Sequence, residues 1–249
     1  MTIDFTNKTY LVTGATSGLG NATVSQLLES GAAVLGIGRD GSKVETFVKQ
    51  FPDRFTFLEV DLNAEFEIEK DLANFVSVHG KFNGAVNCAG KEETLPLSMY
   101  TPQKLASIFN VNFNSPLEIM RLLTKKKYGE DAAYFVFLSS VMGELGQPGK
   151  TAYCAYKSAL LGLVKAAALE LAGRKIRVNA ISPGVVETPM TQKLFDQITE
   201  ENKNSIIAMH PLGMGQIDDI IPLILFLLSD NSRWITGQNI KIDGGYSIQ

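Results

Sequence analysis

Short apolar, β-rich runs alternate along the chain with stretches whose apolar positions recur at helical spacing. The runs are 9–13, 33–38, 55–60, 84–87, 134–138, 177–182 and 239–243. The fifth, Tyr134-Phe135-Val136-Phe137-Leu138, is apolar on both faces, as a buried parallel strand requires. Between the runs, helices are predicted from about Gly20 through Val24, Leu27 and Leu28 to Gly31, then over 65–79, 101–127, 151–172 and 217–229. Pro102 and Pro222 lie near helix starts, where a missing N–H costs little. Asn112 and Asn114 are poor interior helix residues. A break near Asn112 would aim its side chain inward; otherwise it is a polar residue on a solvated face. Residues 185–215 are long and polar with scattered apolar positions, the pattern of a substrate loop or lid holding short helices.

The alternation predicts an α/β fold. It is a doubly wound parallel sheet, Rossmann-like, of about seven strands with helices on both faces. Right-handed crossovers put every strand's C-terminal end on one edge. With 249 residues and no repeat or linker, 1–249 is expected to be one domain.

Composition narrows the function. A net charge of −3 leaves no electrostatic footprint for nucleic acid or an anionic membrane. The longest apolar run, 220–228, is too short to span a bilayer, and nothing reads as a signal peptide. Cys88 and Cys154 lack metal-ligand spacing and are expected to be reduced thiols in small apolar positions, so no metal site and a cytoplasmic location are expected. His79 closes a predicted helix, where a positive charge favours the dipole, as does the Lys125-Lys126-Lys127 cluster.

The chemistry gathers at the strand ends. Gly14-Ala15-Thr16-Ser17-Gly18-Leu19-Gly20 joins the first strand to a helix. Its glycines allow a tight turn and close approach of a pyrophosphate to the helix N-terminus. The second strand ends in Gly38-Arg39, where an acidic residue would bind a ribose 2′-hydroxyl. Glycine leaves room there and arginine offers donors to a 2′-phosphate, so NADP(H) is favoured over NAD(H). Asp61, beside Leu62, either accepts from an adenine amino group or caps the next helix. Tyr153 and Lys157 lie at i and i+4 on one helical face, and an ammonium there would draw the phenol's pKa down from about 10. Tyr156 is the rival phenol, but position 160 is leucine.

Taken in order, Thr13-Gly14-x-x-x-Gly18-x-Gly20, Asn87-Cys88-Ala89-Gly90, Asn112, Ser140, Tyr153-x-x-x-Lys157, Pro183-Gly184 and Thr236-Gly237 through Asp243-Gly244-Gly245 resemble the short-chain dehydrogenase/reductase family, compact single-domain branch. Cys88 stands where that family more often has asparagine. The resemblance implies a seven-stranded sheet, a nicotinamide cofactor, and a homotetramer or homodimer. It implies hydride transfer between NADP(H) and a carbonyl or alcohol, with Tyr153 as acid/base and Lys157 holding the ribose. Ser140, rather than Ser139, would steady the substrate oxygen, and Asn112 would anchor a relay water. It assigns the cofactor to Gly14, Thr16, Ser17, Gly18, Leu19, Gly20, Arg39, Asp61, Leu62, Asn87, Ala89, Gly90, Tyr153, Lys157, Pro183 and Gly184. Val186 and Thr188 would hold the carboxamide. Arg174 and Lys125 to Lys127 resemble the basic positions with which 3-oxoacyl-carrier-protein reductases dock an acyl carrier protein; the other reading is surface charge at helix ends. His210 either touches substrate or is a solvated loop histidine. The alternatives are a catalytically silent nucleotide-binding or scaffold protein and a sugar-modifying relative.

Overall fold

A computed structural model describes residues 3–248. Among the described residues there are seven strands: β1 (Thr9–Thr13), β2 (Ala33–Gly38), β3 (Phe55–Glu59), β4 (Phe82–Asn87), β5 (Gly129–Leu138), β6 (Arg177–Pro183) and β7 (Asn239–Ile242). They form one parallel sheet in the order β3-β2-β1-β4-β5-β6-β7. The chain therefore winds outward in both directions from β1 and β4, which creates a crevice at their C-terminal ends.

Nine α-helices cover the sheet among the described residues: α1 (Gly18–Glu29), α2 (Glu45–Gln50), α3 (Glu69–His79), α4 (Pro102–Phe109), α5 (Ser115–Leu123), α6 (Thr151–Leu171), α7 (Pro189–Phe195), α8 (Glu200–Ala208) and α9 (Ile217–Leu227). Side chains of successive strand residues point to opposite faces. Accordingly Leu11 joins a core with Leu72 and Phe75 of α3, Ile119 of α5 and Val164 of α6. Its neighbours Tyr10 and Val12 join the other core, with Val24 and Leu27 of α1 and Ile220 and Ile224 of α9. No helix of the described residues is long and apolar enough to cross a membrane.

Four local expectations change. β5 begins at Gly129 rather than Tyr134. Its first residues are polar, Ala132 takes φ 58°, and the pairing with β4 shifts register between Phe82 and Gly84. α3 begins at Glu69, not 65, and Asp61 does not cap it. The Asp61 carboxylate instead accepts from the Asn63 N–H at 3.0 Å, while buried Ile68 is drawn into the core before the helix starts. Pro222 lies in the second turn of α9, so the Asp218 carbonyl loses its usual i+4 donor. His79 does end α3, but its ring lies against Phe75 with centroids 4.4 Å apart. Burial lowers its pKa, which disfavours the charge expected there.

The helix predicted over 101–127 does break at Asn112. Residues Asn110–Asn114 form one π-turn between α4 and α5. The 185–215 segment contains α7 and α8.

Candidate active site

The strand ends open into a cavity of about 620 Å³. The glycine-rich turn forms one end of it. A Cβ at Gly20 would lie 2.2 Å from the Gly14 carbonyl oxygen, so the start of α1 packs directly on the turn. Gly14 takes φ 69°, and a Cβ there would come within 2.9 Å of the Ala89 nitrogen. Thr13 fixes this approach, its hydroxyl accepting from the Ala89 N–H at 3.0 Å. Ser17 is the N-cap residue of α1 yet makes no side-chain capping bond, so its hydroxyl and the first amides of the helix are available to an anion.

Arg39 is exposed at the rim, with Gly38 at the end of β2. Asp40 turns away from it: its carboxylate accepts from the Ser42 hydroxyl at 2.6 Å and lies 3.7 Å from Lys43. These bonds hold the Asp40 carboxyl below the usual range, and Arg39 faces the cavity without that charge against it. Asp61, Leu62, Ala89, Gly90, Pro183, Gly184, Val186 and Thr188 also line the cavity, as do Thr16, Gly18 and Leu19. Asn87 does not. It lies within the sheet, opposite Thr13 and Phe137, and neither side-chain atom has a partner.

The acid/base residues converge at the middle of the cavity. Ser140 is the last residue before a 3₁₀ turn, and its hydroxyl accepts from the Met142 N–H at 3.2 Å. Ser139 is spent elsewhere, donating to the Lys157 carbonyl at 3.1 Å. Only Ser140 therefore remains to face Tyr153. Burial pushes the Tyr153 phenol up, and its hydrogen bond with Ser140 pulls it back. The lowering expected from Lys157 is not found: burial sets the direction, and the downward pull comes from Ser140. The Lys157 ammonium lies 5.7 Å from the Tyr153 ring centroid and donates to the Leu138 carbonyl at 2.6 Å. Burial brings its own pKa down to about 8, so it titrates in the working range. Tyr156 is fully buried and donates to the Lys91 carbonyl at 2.8 Å, a structural duty. Cys88 sits beneath Lys157, and burial pushes its thiol up to about 12, so it remains a thiol. Cys88 and Cys154 are both free.

Asn112 is buried and grips the peptide of Lys91. Its Oδ1 accepts from the Lys91 N–H at 2.9 Å, and its Nδ2 donates to the Lys91 carbonyl at 3.0 Å and the Ile108 carbonyl at 2.8 Å. Both amide donors are used, which leaves one Oδ1 lone pair for a water. Gly90 keeps that side open, since a Cβ there would lie 3.1 Å from Oδ1.

Two features escaped the sequence reading. His210 is neither solvated nor a cavity wall. It is buried, Nε2 accepts from the Val185 N–H at 3.1 Å, and Nδ1 therefore donates to the Ile206 carbonyl at 2.8 Å. Its ring lies 4.9 Å from that of Tyr246. One neutral imidazole thus ties the β6 loop, α8 and the C-terminal segment together. Lys150 precedes Tyr153 by three residues, a spacing visible in the sequence, and is ion-paired with Glu92 on the cavity wall. The basic cluster is also paired: Lys125 and Lys127 meet Glu69, and Arg174 meets Asp131 at 2.6 Å.

Comparison with known proteins agrees with this arrangement. The family profile described as Enoyl-(Acyl carrier protein) reductase matches residues 14–247. The 3-oxoacyl-[acyl-carrier-protein] reductase FabG of Thermotoga maritima is 34% identical over 97% of this chain and 98% of its own. Among solved structures, a 4-hydroxyisoleucine dehydrogenase complexed with NADH superposes with TM-score 0.89 at 29% identity, covering 97% of this chain and 99% of the other. A blue fluorescent protein from a metagenomic library, in complex with NADPH, gives 0.90 at 25% identity over 98% and 100%. The chain belongs to the short-chain dehydrogenase/reductase family and is an NAD(P)-dependent oxidoreductase.

Proposed function

We propose that the protein transfers hydride between NADP(H) and a carbonyl or alcohol, with Tyr153 as the general acid/base. The observation that carries this reading is the convergence of Ser140, Tyr153 and Lys157 on the cavity that also holds the glycine-rich turn. The nicotinamide supplies or accepts the hydride. Tyr153 gives its proton to the carbonyl oxygen, or takes one from the alcohol. Ser140 donates to the same oxygen and steadies the charge that develops there. Lys157 holds ribose hydroxyls, while Asn112 anchors the water that returns the proton. The turn residues and the N-terminus of α1 take the pyrophosphate, Asp61 and Leu62 border the adenine, and Val186 and Thr188 flank the carboxamide.

Arg39 beside Gly38 supports NADP(H) over NAD(H). An aspartate at position 38 would also crowd Thr16, whose Cγ2 lies 2.6 Å from the ideal Cβ position. A single domain in the cytoplasm, assembled as a homotetramer or homodimer, completes the reading. Leu169 and Trp234, 82% and 97% exposed, support the assembly.

The names of the curated relatives favour a second reading, an acyl group delivered by an acyl carrier protein. The pairing of Arg174, Lys125 and Lys127 within the chain weighs against docking on that basic patch. The test is a panel of carbonyls and alcohols, including an acyl-carrier thioester, assayed with NADPH, NADH and their oxidised forms. Tyr153→Phe should abolish turnover while retaining cofactor affinity. Normal turnover by that variant would overturn the mechanism, and faster turnover with NADH would overturn the role of Arg39.

A further inference from the structure

Beyond the acid/base residues, the cavity wall carries an ion pair that the mechanism does not use. Lys150 stands at the N-cap of α6, three residues before Tyr153. Its side chain is only 9% exposed, and that of Glu92, its partner from the β4 loop, is 18% exposed. The ammonium lies 5.5 Å from the centroid of the Tyr153 ring. Removing an ammonium from water is costly, and one carboxylate engages only part of its three-donor capacity. Glu92 holds the head group in place, and the remaining donors belong to whatever occupies the cavity. Lys91 and Lys193 also line it, so three ammonium groups besides that of Lys157 share the wall with the carboxylates of Glu92 and Asp61. This is an environment for an anion placed next to the reacting carbon.

We propose that the substrate is a small oxo or hydroxy acid whose carboxylate binds Lys150, with Glu92 as the residue that positions that lysine. This rests on the reading of the protein as a carbonyl/alcohol oxidoreductase and names its substrate class. Reduction is balanced: the carbonyl carbon receives hydride from the reduced nicotinamide, its oxygen receives the Tyr153 proton, and the carboxylate passes through unchanged. An acyl-carrier thioester has no carboxylate at that position, so the two anionic sources, a carboxylate near the carbonyl and a distant carrier phosphate, are separable.

The experiment pairs 2-, 3- and 4-oxo acids of four to six carbons with their methyl esters, and adds an acyl-carrier thioester. Each is assayed for NADPH oxidation and titrated calorimetrically into the enzyme–NADP⁺ complex, where no hydride is available. The wild type should bind and reduce at least one acid about tenfold to a hundredfold better than its ester, the range set by one charge-assisted hydrogen bond. Lys150→Gln should remove that preference mainly by raising KM for the acid toward that for the ester, while Lys150→Arg keeps it. Equal binding of acid and ester by the wild type would overturn the proposal even if Lys150→Gln failed to fold. So would preference for the carrier thioester, or an equal loss on acid and ester in Lys150→Gln. Selective acid binding without turnover of any carbonyl would instead overturn the hydride-transfer reading and leave the anion site standing.

Discussion

Lys157→Met separates what the buried lysine does for chemistry from what it costs the fold. In the folded chain its pKa falls from 10.5 to about 8 because burial penalises the charged form. At about 1.4 kcal/mol per pKa unit, that drop corresponds to roughly 3 kcal/mol of destabilisation at pH 7. Methionine removes the charge but also the charge-assisted hydrogen bond to the Leu138 carbonyl, worth about 2 kcal/mol. The variant should therefore gain about 1 kcal/mol in the absence of cofactor, which for a chain of this size raises Tm by roughly 2–4 °C. The sign of the pH dependence follows from linkage. Between pH 8 and 10.5 the unfolded lysine holds more proton than the folded one, so wild-type stability from this group rises with pH through that window and is lost below it. Tyr10 and Tyr156, whose pKa values burial raises, destabilise both proteins above pH 10, so the readout is the difference between them. Thermal unfolding of both chains at pH 7, 8, 9 and 10.5 should show the advantage of the variant shrinking as pH rises, while its turnover is lost throughout. A variant less stable than wild type at pH 7, or an advantage independent of pH, would refute the reasoning.

Three further outcomes are expected. Asn112→Ala leaves the part-buried peptide N–H of Lys91 without its acceptor and should cost about 1–2 kcal/mol in urea denaturation, together with a fall in kcat. His210→Phe keeps the ring contact with Tyr246 but orphans the Val185 N–H; a loss of about 1–3 kcal/mol and a raised KM are expected, and unchanged proteolysis of the 206–213 segment would count against the tether. Gly38→Asp should weaken both NADPH and NADH in fluorescence titrations because of Thr16, whereas adding Thr16→Ser, which removes the crowding methyl, should restore NADH alone.

The sheet was legible because its strands are apolar where they are buried on both faces. Run 134–138 is a clear instance, and the polar residues that precede it in β5 hid the strand's first half. The glycine-rich turn was legible because only a residue without a side chain fits at Gly14 and Gly20, and Asn112 because asparagine inside a helical pattern signals a break. What escaped notice depends on tertiary placement. A loop histidine is read as solvated until α8 and the C-terminal segment close over it. Lys150 carries a local clue, its spacing from Tyr153, but Glu92 arrives from a distant strand end. Asn87 closes β4 inside the sheet, and its neighbours Cys88, Ala89 and Gly90, past the strand's end, line the cavity.

The peptide of Lys91 joins the loop after β4 to the π-turn through Asn112 and to α6 through Tyr156. All three of these bonds engage the backbone. The side chain, which lines the cavity and donates to Ser107 at 3.3 Å, takes no part in the joint. Position 91 can therefore accept any residue but proline, whose missing N–H would empty the Asn112 contact. That separation gives the scaffold evolutionary latitude: the substrate wall can be rewritten at this site by single substitutions while the proton-transfer assembly keeps its shape.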